Sequence, residues 1–330
     1  MTATVTQPLP GGDTVPIRRR RAGRWTFDKI SFMAVFLGLP LAIYLVLVVS
    51  PFAQAVYYSL TDWTGFSPNQ NFIGLRNFQR IFTDDIFMKS LRNNVVLAVV
   101  LPVVTLALSF ALASLLTVGG TMKGQTRGLK ASGFYRTISF FPYVIPAIVI
   151  GIMWSQIYDP SNGLLNGILT ALGFDMFESF PWLGDERTAM PATIFVIVWS
   201  MVGFYMVLFV AAIKDVPAEI FEAARIDGAG RFRIATAITL PLIRDNVQTA
   251  WIYLGILALD AFVYMAALNP GGGPNNSTLV MAQQLFTTAF TKGQFGLACA
   301  MGVVLAAVTL LFSALVFVVS RLLGGKDDIR

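Results

Sequence analysis

TAMPATIFVIVWSMVGFYMVLFVAAIKDVPAEIFEAARIDGAGRFRIATAITLPLIRDN, residues 188 to 246, sets two kinds of sequence side by side. From 188 to 213 there is no Asp, Glu, Lys or Arg. A run of that length supplies the ~20 apolar residues a helix needs to cross roughly 30 Å of hydrocarbon. From 214 onward the chain turns polar and patterned. Pro217 suits a first helical position, where its missing N–H leaves no bond unmade, and Gly228 suits a helix stop, so a short helix is predicted over 217–227. Ile220, Ala223, Ala224 and Asp227 fall at i, i+3, i+4 and i+7, a narrow face of mostly small residues flanked by Glu219, Glu222 and Arg225. After Gly230 a basic amphipathic stretch, Arg231, Phe232, Arg233 and Ile234, leads to Pro241, which ends or kinks the helix before the next apolar run.

Outward from this stretch the same apolar signal repeats. The 330 residues are 55% hydrophobic and only 13% charged, with mean hydropathy +0.67. Soluble domains carry about a quarter charged residues, so the composition places the chain in a bilayer. Charge-free runs lie at 30–61, 93–122, 137–158, 188–213, 246–291 (interrupted only by Asp260) and 293–320. Trimmed to their most apolar parts they predict six transmembrane helices, near 32–56, 94–117, 138–158, 190–213, 248–268 and 296–320, in an all-α polytopic membrane protein.

Lys and Arg in the connections set the orientation. With a cytoplasmic N-terminus, eighteen fall inside: Arg18, Arg19, Arg20, Arg21, Arg24 and Lys29; Lys123, Arg127, Lys130 and Arg136; Lys214, Arg225, Arg231, Arg233 and Arg244; Arg321, Lys326 and Arg330. Six fall outside: Arg76, Arg80, Lys89, Arg92, Arg187 and Lys292. Both termini are therefore expected in the cytoplasm, with tails over 1–30 and 321–330 and a membrane domain over 31–320. Arg18 to Arg21 before an apolar run resembles a signal peptide, but the run is too long and lacks a small-x-small cleavage site, so it reads as a retained first helix. Residues 1–17, rich in Thr, Pro and Gly without apolar periodicity, read as a disordered tail.

The missing chemistry is as telling. There is no His, which removes Ser-His-Asp and Cys-His catalysis and His-based metal sites, and the single Cys299 forms no internal disulfide. No catalytic or metal-binding residues are expected. The net charge of +6 comes without a basic, aromatic-interleaved stripe, so nucleic acid is not an expected partner. ATP hydrolysis needs a phosphate-cradling loop of the form G-x-x-x-x-G-K-[ST]. Gly119-Gly120-Thr121-Met122-Lys123-Gly124 has the composition in the wrong order, and Gly271-Gly272-Gly273-Pro274 lacks a Lys and reads as a turn.

Any cytoplasmic loop can hold a short interfacial helix resting on headgroups through its Arg residues. Here the order Glu222-Ala223-Ala224, Asp227-Gly228-Ala229 and then Leu240-Pro241 is more particular: it resembles the EAA loop of ATP-binding-cassette (ABC) importer permeases. The segments FIGLRNFQRIFTDDIFMKSLRNNVV (72–96), NPGGGPNNST (269–278) and the following LFTTAFTKGQFGLACAMGVVLA look like maltose-type sugar permeases, in a compact six-helix version. The resemblance implies the type I importer permease fold, with a common core from about 90 to 320 and an EAA coupling loop over 214–246. It places Glu222, Ala223, Ala224, Asp227 and Gly228 at a docking surface for a cytoplasmic ATPase. It also implies a second related permease, two ATPase domains that bind ATP and Mg, and an external solute-binding protein. This chain itself would need no cofactor.

Within the spans, Asp260 lies about 12 residues, or roughly 18 Å, into the fifth helix, where an ionised carboxylate calls for a partner or a water-filled cavity. At 100° per residue, Tyr253, Asp260 and Tyr264 fall within about 40° of one another. Such a polar-aromatic stripe suits a sugar, since carboxylates accept hydrogen bonds from hydroxyls and rings pack on pyranose C–H faces. The competing reading is an Asp bonded to a neighbouring helix or subunit, with the tyrosines as packing. Trp199, Gly203 and Met206 share a face of the fourth helix that reads as core, and Tyr205 points about 120° away from Trp199 as a further candidate for the path. A different class, a proton-coupled secondary transporter using Asp260, would need no patterned cytoplasmic loop and would normally show repeats with paired broken helices, which the sequence does not show. The carboxylate argues against an anionic substrate, and the sequence leaves the particular sugar open.

Overall fold

The computed structural model describes residues 5–8, 14–17, 27–68, 70–117 and 132–323. Arg18 to Arg21, Arg24, Lys123, Arg127, Lys130, Lys326, Arg330 and the Gly119–Gly124 cluster lie outside the described residues. By contacts the chain divides into two units, residues 1–54 and 55–330.

In the first unit, strand β1 (Val5–Pro8) pairs antiparallel with β2 (Thr14–Ile17), Val5 opposite Ile17 and Pro8 opposite Thr14. Within the segment 1–17, expected as a disordered tail, the described residues are these two strands. Val5, Thr6, Thr14, Val15 and Ile17 are β-branched residues around Gly11-Gly12, a strand–turn–strand composition that a search for helical periodicity passes over. Helix α1 (Phe27–Ser59) follows, 33 residues with π-helical stretches at Ala34–Gly38 and Leu45–Val49. No residue from Phe27 to Val49 is buried. A helix apolar all round without protein cover is a membrane helix.

The second unit begins with surface helix α2 (Arg76–Thr83) and then α3 (Asp85–Thr117). Helices α4 (Ser132–Val144), α5 (Ala147–Ile157) and the short α6 (Leu164–Ala171) lead to α7 (Ala189–Lys214). Next come α8 (Ala218–Ile226), α9 (231–242, π-helical over Ile234–Thr239), α10 (Arg244–Leu259) and α11 (Phe262–Leu268). The chain closes with α12 (Met281–Phe286, continuing as a π stretch over Thr287–Thr291) and α13 (Phe295–Leu323). Four helices, α1, α3, α7 and α13, cross without interruption, and two bent pairs complete six spans.

The bends correct two predicted single helices. The third span, expected over 138–158, turns 96° between Val144 and Ala147. Pro146 caps α5 there with extended backbone, and Pro142 lies inside α4, so neither can continue the ladder of hydrogen bonds. The fifth span, expected over 248–268, turns 47° at Asp260-Ala261. No proline causes that break. The freed Leu259 carbonyl accepts from Asn94 Nδ2 at 2.8 Å, and Asn94 Oδ1 accepts from the Met281 N–H at 2.7 Å, so one side chain on α3 satisfies both the carbonyl at the break and the first N–H of α12.

The main core lies where α3, α7, α10 and α11 meet, around Leu97, Val196, Met206, Phe209, Leu254 and Met265. A smaller core under α2, α12 and α13 joins Ile81, Phe87, Met281 and Met301. Small residues set the closest approaches, as between membrane helices generally. At Gly203 a Cβ would collide with the Ser139 backbone of α4. Trp199 and Met206, expected as core, lie against Trp154 and wholly buried respectively.

Candidate functional site

Two regions hold the candidate residues. The first is the hairpin between α7 and α10. Pro217 is the N-cap of α8, so the helix begins one residue later than predicted, and Gly228 takes φ +78° just past its end. Gly228 N–H donates to the Arg225 carbonyl at 3.0 Å and Ala229 N–H to that of Ala224 at 2.9 Å. These paired bonds form the glycine-terminated stop that satisfies the last helical carbonyls.

The faces of α8 differ from the expected small-residue stripe. Phe221 and Ala224, one turn apart, are buried in the main core with Ile213, Ile234 and Ile243. Ile220, Glu222, Ala223, Asp227 and Gly228 are exposed. Ala224 therefore anchors the helix instead of standing on its outer surface with Ala223, because the bulk of Phe221 decides which side turns inward. The reading from sequence missed Ile226 and Phe232, which are 86% and 82% exposed. Their signal was available: large apolar residues on either side of Gly228 and Gly230 in a polar loop. Among the described residues Glu219, Glu222 and Asp227 make no ion pair. The surface thus offers carboxylates and two large apolar side chains on a helix held from beneath.

The second region is the fifth span. Asp260 is exposed at the break. Tyr253 is 67% exposed, whereas Tyr264 is buried with its hydroxyl 3.0 Å from Ser200 Oγ on α7. Tyr253, Asp260 and Tyr264 do not form one stripe: the 100° rule assumes an unbroken helix, and the chain bends between the second and third of them. Tyr205 is also buried, edge-on to Phe204 at 5.1 Å between ring centroids. Tyr205 and Tyr264 share the main core.

The connections after the first, third and fifth spans form the end of the bundle opposite the hairpin, here called distal. Asn93 Nδ2 donates to the carbonyls of Asn276 and Leu279 at 3.1 and 2.9 Å. Asn269 Nδ2 donates to Thr193 Oγ1 at 2.7 Å. Gly271, Gly272 and Gly273 and then Asn275 and Asn276 all take positive φ, so the expected turn at 271–274 is a run of left-handed residues. Lys89 Nζ lies 3.3 Å from Glu186 Oε1 and donates to the Asn275 carbonyl, while Asn275 Nδ2 donates to Glu186 Oε2 at 3.2 Å. The Asn275 amide, then the Lys89 ammonium, hold the Glu186 carboxyl below the usual range. Asn71 does the same for Asp62 through its side-chain and backbone N–H groups. The intramembrane asparagines Asn93 and Asn94 went unread in the sequence, although polar residues at the edge of an apolar run are the signal for such ties.

Residues 116–326 match the family model described as binding-protein-dependent transport system inner membrane component. The diacetylchitobiose uptake system permease protein of Streptomyces coelicolor is 60% identical over 309 residues, covering 94% of this chain and 88% of that protein. The multiple sugar-binding transport system permease protein of Streptococcus mutans is 33% identical, covering 82% and 88%. A bacterial ABC transporter involved in the import of the acidic polysaccharide alginate has a chain of the same fold, with TM-score 0.74 at 21% identity over 89% of this chain and 97% of that one.

Proposed function

This chain belongs to the binding-protein-dependent transport system inner membrane component family, and we propose that it is the permease subunit of an ABC importer for a neutral acetamido disaccharide of the diacetylchitobiose type. The substrate reading rests on the 60% identity to the Streptomyces coelicolor permease. Both termini and the hairpin over 214–246 face the cytoplasm, and the distal end faces outward. A second related permease completes the pathway, an external solute-binding protein delivers the sugar, and separate ATPase domains bind ATP and Mg. Asp260, Tyr205, Tyr264 and Tyr253 are assigned to the path, Asp260 accepting hydroxyls at the break and the buried Tyr205 and Tyr264 setting its walls.

The observation that carries coupling is the two-sided α8: Phe221 and Ala224 root it in the core while Ile226 and Phe232 stand exposed among Glu222, Ala223, Asp227 and Gly228. Exposed large apolar side chains ringed by charge are what a docking surface uses as anchors. Family membership does not favour the proton-driven alternative, although the third and fifth spans are broken. Alternating access then follows when the ATPase pulls on a helix fixed to the core of the spans.

The test is uptake and ATPase activity in proteoliposomes holding the whole importer. Phe232→Ala removes one anchor from an exposed site, and Glu222→Ala with Gly228→Pro removes a carboxylate and the left-handed stop, which proline with its φ near −65° cannot adopt. Each is expected to cut sugar-stimulated ATP hydrolysis and uptake by at least tenfold, since an interface anchor is worth about 2 kcal/mol. Normal uptake in both defeats the coupling role. Uptake driven by a pH gradient with no ATPase present defeats the importer reading itself.

A further inference from the structure

Aromatic rings form a connected file at the distal end. Phe262, two residues past Asp260, lies 5.4 Å between centroids from Phe286; Phe286 is 4.9 Å from Phe290 and Phe290 5.5 Å from Phe295. Phe295 in turn meets Phe66 at 5.6 Å and Trp63 at 5.8 Å, and Trp63 stacks on Tyr58 at 4.3 Å. The rings come from three separate stretches of chain, 58–66, 262 and 286–295, yet each touches the next. None is fully buried, and Phe66, Phe290 and Phe286 are 86%, 65% and 47% exposed.

The file is built rigidly. The π stretch Thr287–Thr291 lies between Phe286 and Phe295 and contains Phe290. Such insertions are frequent at functional sites because they re-aim side chains. At the other end Gly296 N–H donates to the Trp63 carbonyl at 2.8 Å. A Cβ at Gly65, which takes φ +84°, would collide with the Phe295 ring. Carboxylates stand at both ends: exposed Asp62 beside Trp63, and exposed Asp260 beside Phe262.

We propose that this aromatic file is a track along which the pyranose rings and acetamido groups of the substrate slide from the outer rim to Asp260; the inference rests on the sugar-importer reading above. Ring faces pack on sugar C–H faces and on acetamide methyls without demanding one register, and the end carboxylates accept hydroxyls on entry and arrival. An interfacial lipid belt is a different arrangement. Belts are Trp and Tyr at headgroup depth, whereas five of these seven rings are Phe in a line that ends beside an intramembrane carboxylate, which lipid would penalise.

The experiment measures initial uptake of radiolabelled N,N′-diacetylchitobiose by proteoliposomes of the complete importer, saturated with its sugar-loaded binding protein. Phe66→Leu and Phe290→Leu keep an apolar side chain but lose the ring, at positions so exposed that folding loses little packing. Phe290→Tyr keeps the ring. Assembly is read by co-purification of all subunits. Each Leu variant is expected to lower the maximal uptake rate about three- to tenfold, the scale of an aromatic contact beyond its area, while the half-saturating concentration of loaded binding protein stays put and Phe290→Tyr restores uptake. Wild-type uptake in both assembled Leu variants overturns the track. So does equal loss in Phe290→Leu and Phe290→Tyr, which makes the position one of shape alone. If the wild-type importer does not move this sugar, the substrate reading of the preceding section fails instead.

Discussion

The hairpin over 214–246 and the break in the fifth span solve the same problem, a helix that must stop, by opposite means. In the hairpin the solution is local: Gly228 turns left-handed and Gly228 and Ala229 close the last carbonyls of the helix they follow. At Asp260 the solution comes from α3, where Asn94 donates to the Leu259 carbonyl at the break and accepts from the Met281 N–H that opens α12. A local stop lets a surface element stand clear of the bundle, as a docking helix requires. A stop made by another helix ties the opening of one span to the position of its neighbour.

The sharpest way to break that contrast is Asn94→Leu. The substitution fits the volume but leaves the Leu259 carbonyl and the Met281 N–H buried without partners. Each such orphan costs about 1–3 kcal/mol. The expected outcome is a loss of roughly 2–6 kcal/mol, seen as little or no folded protein in detergent by size-exclusion chromatography. Normal yield and melting would mean that the break holds itself open without α3.

The contrast also explains what the sequence disclosed. All six spans were legible, because hydropathy needs only composition within a window. The short helix and its glycine stop were legible too, since their determinants lie within a dozen residues. The bend at Asp260 was not: its cause is an asparagine more than 160 residues earlier in the chain, and helical-wheel arithmetic carried through the bend grouped exposed Tyr253 with buried Tyr264. Within α8 the predicted face is exposed at Ile220, Ala223 and Asp227, and fails only at Ala224, which is buried together with Phe221. Pro142 and Pro146 did announce the 96° turn in the third span, and only the length of the apolar run concealed it.

Asp260→Asn tests the break from its other side. The amide keeps the shape and one acceptor but not the charge, and Asn94 still holds the Leu259 carbonyl. Assembly and basal ATP hydrolysis are therefore expected to persist while sugar uptake falls, by about tenfold if one charge-assisted hydrogen bond to a hydroxyl, worth roughly 1.5 kcal/mol or more, is lost. Failure to assemble would instead mark Asp260 as a structural tie to the neighbouring subunit, and the fifth span would then depend on partners at two points.

The smallest effect is expected at the distal clasp of Lys89, Glu186 and Asn275, which is non-local like the Asn94 tie but open to water. Its partners hold the Glu186 carboxyl below its ordinary 4.5, so the folded state favours the ionised form. The clasp's contribution is therefore fully present above about pH 4.5 and is lost as pH falls through the depressed value. Asp62 shifts in the same direction through Asn71, so acid weakens two distal contacts together and a wild-type titration cannot separate them. Glu186→Gln can, because the amide does not titrate. Amide hydrogen exchange over 270–278, followed from about pH 7 to about pH 3 and corrected for intrinsic rates, should show protection falling with acid in the wild type and a flatter profile in the variant. The gap should be modest and should shrink in high salt, since Lys89 and Glu186 are partly solvated. Identical profiles in the two proteins would mean that the positive-φ turn at 271–276, not the charge pair, holds the distal loop in place, and that this end too is closed by a local stop.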